Sequence, residues 1–196
     1  MNLIQRVQDI LLKPKDTWAV IAHEPATVQR LYTEYLMVLA AVPALASFVG
    51  LSIIGVGGFG ATYRIPFFAG LANMVVGYLL SLVGVYLMSL IADALAPTFQ
   101  GRKDPLSALK LMVYASTAGL LGGLFGLVPA LSLLGLVAAL YSVYLIYTGL
   151  PVLMRCPPEK AVAYTAVLVV SGIVLGALLG EVASWFLPAR RLGLGG

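Results

Sequence analysis

Between Thr33 and Val56 the chain carries a single charged residue, Glu34, and four later stretches repeat that pattern. They are Pro66–Ala92, Leu106–Val128, Ala130–Leu153 and Ala161–Leu187, and none holds more than one charge. At about 1.5 Å of rise per residue, each is long enough to cross roughly 30 Å of hydrocarbon as a helix. Lipid offers no partner for backbone N–H and C=O groups, and a helix satisfies them within one segment. The fold class that follows is an all-α membrane protein, a bundle of five transmembrane helices. Composition agrees. The chain is 61% hydrophobic and 10% charged, whereas a soluble domain carries about 25% charged residues. The third and fourth stretches are separated only by Gly126-Leu-Val-Pro129, so they form a tight hairpin.

The first 30 residues differ. Leu3, Ile4, Val7, Ile10 and Leu11 recur at helical spacing, while Asn2, Gln5, Arg6, Gln8 and Asp9 face away. This predicts an amphipathic helix over Met1–Lys13, ended by Pro14. A second short helix is expected over about Asp16–His23, carrying Trp18, Val20 and Ile21 and stopping at Pro25. Both are too short to span. Two placements are open: on the membrane interface with Trp18 as an anchor, or against the loops of the same protein. The expected division is a cytoplasmic amphipathic segment over 1–30, a five-helix domain over 31–188 and a flexible tail over 189–196.

Orientation follows from the basic residues. One end holds Arg6, Lys13, Lys15, Arg30, Arg102, Lys103, Lys110, Arg155 and Lys160; the other holds Arg64, Arg190 and Arg191. Positive charge favours the cytoplasmic side, which puts the N-terminus inside and the C-terminus outside. Tyr32, Tyr35 and Tyr164 are expected in the aromatic belt of one interface, and Tyr63, Phe67, Phe68, Trp185 and Phe186 in the other. The bases form no run and the net charge is +4, which argues against nucleic acid as a partner.

Glycine spacing suggests close helix packing. Gly172, Gly176 and Gly180 form a tandem GxxxG, and Gly70, Gly77 and Gly84 repeat every seven residues. Packing within one chain and association of copies are both open. Among the polar groups, Glu34, Asp93 and Lys110 lie near the cytoplasmic ends of their spans. Ser107, Lys110, Tyr114 and Thr117 share one helix face, as do Tyr141, Tyr144 and Tyr147. The expectation is a cluster of Glu34, Asp93, Lys110, Tyr114, Tyr141, Tyr144 and Tyr147 in the inner half of the bundle. In it Lys110 pairs with Asp93 or Glu34. The cluster reads either as structural pairing or as a substrate or partner site.

No catalytic signature emerges. His23 and Cys156 are the only residues of their types, so a histidine-rich metal site is excluded. The glycines lie in apolar helices rather than in strand-to-helix turns, so no cofactor is expected.

Three segments carry a resemblance. They are Ile10-Leu-Leu-Lys-Pro-Lys-Asp-Thr-Trp-Ala-Val-Ile21 with Glu24 and Tyr35-Leu, Ala108-Leu-Lys-Leu-Met-Val-Tyr-Ala-Ser116, and Tyr141–Lys160 with Ala161–Thr165. In order and spacing they resemble the Yip-one domain family. Its eukaryotic members are five-span Ypt/Rab-interacting proteins with longer N-terminal regions and an Asp-Leu-Tyr-Gly-Pro-like motif. The short N-terminus and the missing motif place this chain beside the prokaryotic branch. The resemblance therefore implies an inner-membrane protein without a Rab-type GTPase partner. Two functions follow as expectations. One is a non-enzymatic scaffold or adaptor whose partners are the lipid bilayer, other membrane proteins or itself. The other is a small transporter or channel using the polar cluster.

Overall fold

The structure, a computed structural model, describes residues 2–58, 61–127 and 131–185. Val128 to Ala130, Phe186, Leu187, Arg190, Arg191 and the expected tail lie outside the described residues.

Two helices precede the bundle. α1 spans Leu3–Leu12 and is capped by Asn2, whose side chain accepts from the Ile4 N–H at 3.2 Å. α2 spans Pro14–His23 and begins on the proline, where a missing N–H costs nothing because the first helical N–H groups have no partner.

Among the described residues, five helices are long and apolar enough to cross a membrane: Val28–Ile54, Phe67–Phe99, Pro105–Phe125, Leu133–Leu153 and Pro158–Trp185. The first starts before the expected Thr33, because Thr27 caps it by accepting from the Arg30 N–H at 3.2 Å. It carries π-helical turns over Tyr32–Leu36 and Val49–Ile54, with Pro43 between them. It stops at Gly55, whose φ of 85° suits a residue without Cβ. Two three-residue strands, β1 (Val56–Gly58) and β2 (Ala61–Tyr63), pair antiparallel and lead into span two. Span two runs past the expected Ala92 and tightens into a 3₁₀ turn at Ala96–Phe99.

Span three is interrupted at Ser116, between helices Pro105–Ala115 and Thr117–Gly122. Ser116 Oγ donates to the Val113 carbonyl at 2.8 Å, and Thr117 Oγ1 to that of Tyr114 at 2.7 Å. Such back-bonding competes with the helical ladder and bends it.

Span three is also the centre of the bundle. Every residue from Ala108 to Ala115 is buried, while spans two, four and five turn most of their surface outward. One apolar core joins it to the N-terminal helices: Ile10, Trp18 and Ile21 pack with Leu109, Leu111, Leu145 and Leu150.

One open placement is decided here and two expectations are corrected. Trp18 is not an exposed interfacial anchor. It is 0% exposed, and its Nε1 donates to Thr148 Oγ1 of span four at 3.2 Å. The absence of Cβ at Gly149 admits the indole, since an added Cβ would lie 2.8 Å from Trp18 Cε2. The second open placement, docking of these helices on their own protein, is thus the observed one. Its surface is the bundle helices themselves. Next, Tyr35 and Tyr164 are not belt residues but buried core, whereas Phe67, Phe68 and Trp185 are exposed as a belt requires. Phe186 is outside the described residues.

Last, the glycine stripes do not pack within the chain as a set. Gly70 meets Ser52, and Gly84 and Gly172 face Leu179 and Met88. An added Cβ on Gly77, Gly176 or Gly180 would meet nothing within 4 Å. The close approaches are those of Gly70 against Ser52, of Gly122 against Ala138 and Gly123 against Pro43, which belong to the GxxxG spacings of span three, and of Gly149 against Leu111 and Trp18.

Candidate functional site

The polar groups gather where α1 and α2 meet the bundle, and backbone termini explain why. A helix leaves its last carbonyls without intrahelical partners, and they carry the negative end of the helix dipole. Two bundle side chains fill that need. Tyr141 of span four donates its hydroxyl to the Leu11 carbonyl at the end of α1, at 2.6 Å. Lys110 of span three donates to the carbonyls of Ile21 (2.9 Å) and Glu24 (2.6 Å) at the end of α2. This corrects the expectation that Lys110 pairs with Asp93 or Glu34. Lys110 is buried, and the two oxygens replace much of the hydration its ammonium gives up.

Arg6 is the second correction. Sequence periodicity turns it outward, yet it is 5% exposed and shares the buried face of α1 with Ile10. Its Nη2 is ion-paired with Glu24 Oε2, and its guanidinium carbon lies 5.7 Å from the centre of the Tyr114 ring. That distance is within cation–π range. Tyr114 in turn meets Tyr35 edge-on, with ring centres 4.7 Å apart, and the Tyr35 hydroxyl is 2.8 Å from Thr117 Oγ1. Arg6 Nη1 is buried and has no hydrogen-bond partner among the described residues. A buried N–H left in that state costs about 1–3 kcal/mol or more.

These groups border a crevice of about 220 Å³ between α1, the turn after α2, and spans one and three. Arg6, Glu24, Arg30, Glu34, Tyr35 and Tyr114 line it. At its mouth Arg30 pairs with Glu34 one helical turn on, Nε to Oε1 at 3.1 Å and Nη2 to Oε2 at 3.4 Å, both side chains exposed.

The structure therefore divides the expected cluster. Glu34 and Tyr114 share the crevice, and Lys110 reaches it through the Glu24 carbonyl. Tyr141 binds α1, while Tyr144 and Tyr147 stand 40% and 41% exposed on the outer face of span four. Asp93 is apart. It is buried, and its Oδ1 has no partner among the described residues. Beside it the Tyr164 hydroxyl donates to the Ala92 carbonyl, and the Tyr164 ring stacks on Phe99 at 4.6 Å. A second cavity, of about 410 Å³, opens between spans two, three, four and five. It is mainly apolar, with Met88, Met112, Leu175 and Leu179 in its wall and the hydroxyls of Ser81, Ser116 and Ser142 among them.

Outside the spans, two groups are shifted from their ordinary titration range. Burial alone would raise the Asp104 carboxyl. Hydrogen bonds from the Ser107 N–H (3.2 Å), the Ser107 hydroxyl (2.9 Å) and the Leu106 N–H (3.1 Å) outweigh that and hold it below the usual range. Burial pushes the Cys156 thiol up.

Sequence reading missed Arg6 and Glu24 as site residues. The signal for Arg6 was present: Leu3, Arg6 and Ile10 step by three and four along one face. Glu24 had no such signal, because its role depends on where α2 ends against the bundle. Among the described residues, no group of three or more His, Cys, Asp or Glu side chains is arranged to hold a metal ion.

A family model described as the Yip1 domain matches residues 9–179. Two curated relatives are each called inner membrane protein YohC, one from Escherichia coli K12 and one from Escherichia coli O6:H1 strain CFT073. Each is 29% identical over 183 residues, covering 91% of this chain and 92% of the relative. No solved structure matches the chain.

Proposed function

The chain belongs to the Yip1 domain family, and from that premise we propose a non-enzymatic scaffold or adaptor of the bacterial inner membrane. Its partners are other membrane proteins or further copies of itself, and it takes no cofactor and no Rab-type GTPase. The supporting observation is the way Lys110 and Tyr141 fasten α2 and α1 to the bundle. A segment that could hang free is instead a fixed, charged platform at one end of five apolar helices. Fixed charge on a rigid element suits recognition, because little conformational entropy is lost when a partner docks. Location in the inner membrane rests on the names of the two relatives. The N-terminus is placed in the cytoplasm and the C-terminus outside, since nine of the 12 bases lie at the platform end.

Crosslinking from native membranes tests the association. Partner recovery with the full chain, lost when exposed platform residues such as Lys15 and Arg30 are changed to Glu, is the expected result. Absence of any crosslinked partner or copy would count against it. Orientation is read separately. Arg64→Cys on a Cys156→Ser background should react with an impermeant maleimide from outside intact cells, and reaction only after lysis reverses the assignment.

A second reading, a small transporter, draws on the break of span three at Ser116 beside the cavity between spans two to five. Interrupted helices mark substrate sites in many transporters. Solute uptake by purified protein in proteoliposomes, lost in Ser116→Val, would favour it over the scaffold.

A further inference from the structure

We propose that the crevice between α1 and spans one and three binds a phosphoethanolamine group, with the phosphate toward Arg6 and Arg30 and the ammonium toward Glu34. Three observations carry this. The first is the unpaired donor: Arg6 is buried, lines the crevice, and has an Nη1 without an acceptor among the described residues. A guanidinium already bonded to Glu24 through Nη2 still needs an oxygen on its other arm. Phosphate oxygens are suited to that geometry.

The second is the charge pattern. The lining holds two arginines and two glutamates. A ligand that is only anionic would gain Arg6 and Arg30 but approach Glu24 and Glu34, and like charges in a partly enclosed site repel. A zwitterion meets both signs. Its phosphate answers the arginines, and its ammonium has three donors for the carboxylate of Glu34. Tyr35 and Tyr114 give the cleft an aromatic wall, which also favours a cationic group.

The third is position. Span one starts at Val28, so Arg30 and Glu34 occupy its first turns, at headgroup depth. Leu3 and Leu31 line the same crevice and provide an apolar flank for the start of acyl chains. The same headgroup chemistry occurs in membrane phosphatidylethanolamine and in free phosphoethanolamine.

The experiment uses the full chain purified in detergent, with equimolar phosphatidylethanolamine and phosphatidylglycerol added. Retained lipid is counted by native mass spectrometry. Arg30 and Glu34 are exposed, so their variants should keep the fold. Wild type is expected to retain phosphatidylethanolamine over phosphatidylglycerol by roughly fivefold, the scale of one screened charge contact. Glu34→Gln should remove that preference, and Arg30→Gln should weaken retention of both lipids. A parallel arm adds free phosphoethanolamine. Its displacement of the lipid, or its saturable binding where no lipid is retained, supports the headgroup assignment, and the second outcome makes the source soluble. Equal retention of the two lipids, or retention unchanged by both variants, overturns the proposal, as does the absence of binding in both arms.

Discussion

The Lys110 ammonium donates to the backbone oxygen of Glu24 at 2.6 Å, across 86 positions of sequence. With the Ile21 carbonyl as its second acceptor, it acts as the C-terminal cap of α2, supplied by the central span. Lys110→Met removes the donor and leaves both oxygens to find new partners. The expected loss is about 1–3 kcal/mol, read as a lower melting temperature in detergent. In a chain lacking residues 1–26 both acceptors are gone, so Lys110→Met should cost less than in the full chain. The two measurements form a cycle, and additive effects would mean that Lys110 does not couple to the N-terminal segment.

The thiol of Cys156 is buried and its pKa is raised. Only the thiolate attacks an alkylating reagent, so native Cys156 should react far more slowly than an exposed thiol, and its rate should reach half-maximum at a higher pH. In denaturing detergent the reaction should become fast at about pH 8.5, the range of a free cysteine. The folded pKa lies above the unfolded one, so this group's contribution to stability is complete below the unfolded pKa. It is lost as pH rises through the folded value. Equal alkylation rates in folded and unfolded protein would contradict the burial of this residue.

Some of this was legible in the sequence and some was not. The five spans were, because each apolar stretch has no stable alternative to a membrane helix. The faces of α1 were only partly legible. Periodicity put Ile10 inward correctly but assigned Arg6 outward by its charge, although Arg6 shares that inward face. Chemistry overrode register there, and a half-buried Glu24 partner made the register the better guide. Lys110 was recognised as buried, yet its partners were sought among carboxylates. Backbone carbonyls at a helix end are invisible until the end is placed against something. Trp18 reads equally well as an interfacial anchor or as packed on the loops of its own protein, and the small Gly149 opposite it is what admits it to the bundle. Partners distant in sequence are what the pattern of a single chain lacks.

Asp104 offers a test of the local reading. Its side chain accepts from two N–H groups and a hydroxyl in the first turn of span three, so Asp104→Ala should cost about 1 kcal/mol at neutral pH. The carboxyl's folded pKa is lowered. Its contribution is therefore present above the unfolded pKa and lost as pH falls through the folded one, below about pH 4. Wild type and Asp104→Ala should converge in melting temperature on acidification. A gap that persists unchanged to about pH 2 would show that the capping hydrogen bonds do not carry the effect.

Glycines at GxxxG spacing are usually credited with helix contacts, and here two positions separate spacing from contact. At Gly149 an added Cβ would lie 2.6 Å from Leu111 Cδ1 and 2.8 Å from Trp18 Cε2. The indole is buried and held by Thr148, so it cannot swing aside. Gly149→Ala should therefore displace Trp18 and lower stability by about 1–3 kcal/mol, the range for overpacked cores. At Gly176 an added Cβ meets nothing within 4 Å. Gly176→Ala fills no occupied space and limits the freedom of the unfolded chain, so it should leave the melting temperature unchanged or raise it. Gly176→Leu should likewise be tolerated by the isolated chain. Copy number decides the remaining role of that stripe. If Gly176→Leu lowers the melting temperature only at concentrations where copies associate, the stripe packs between chains. If it lowers stability at every concentration, span five lies closer to its neighbours than the structure places it.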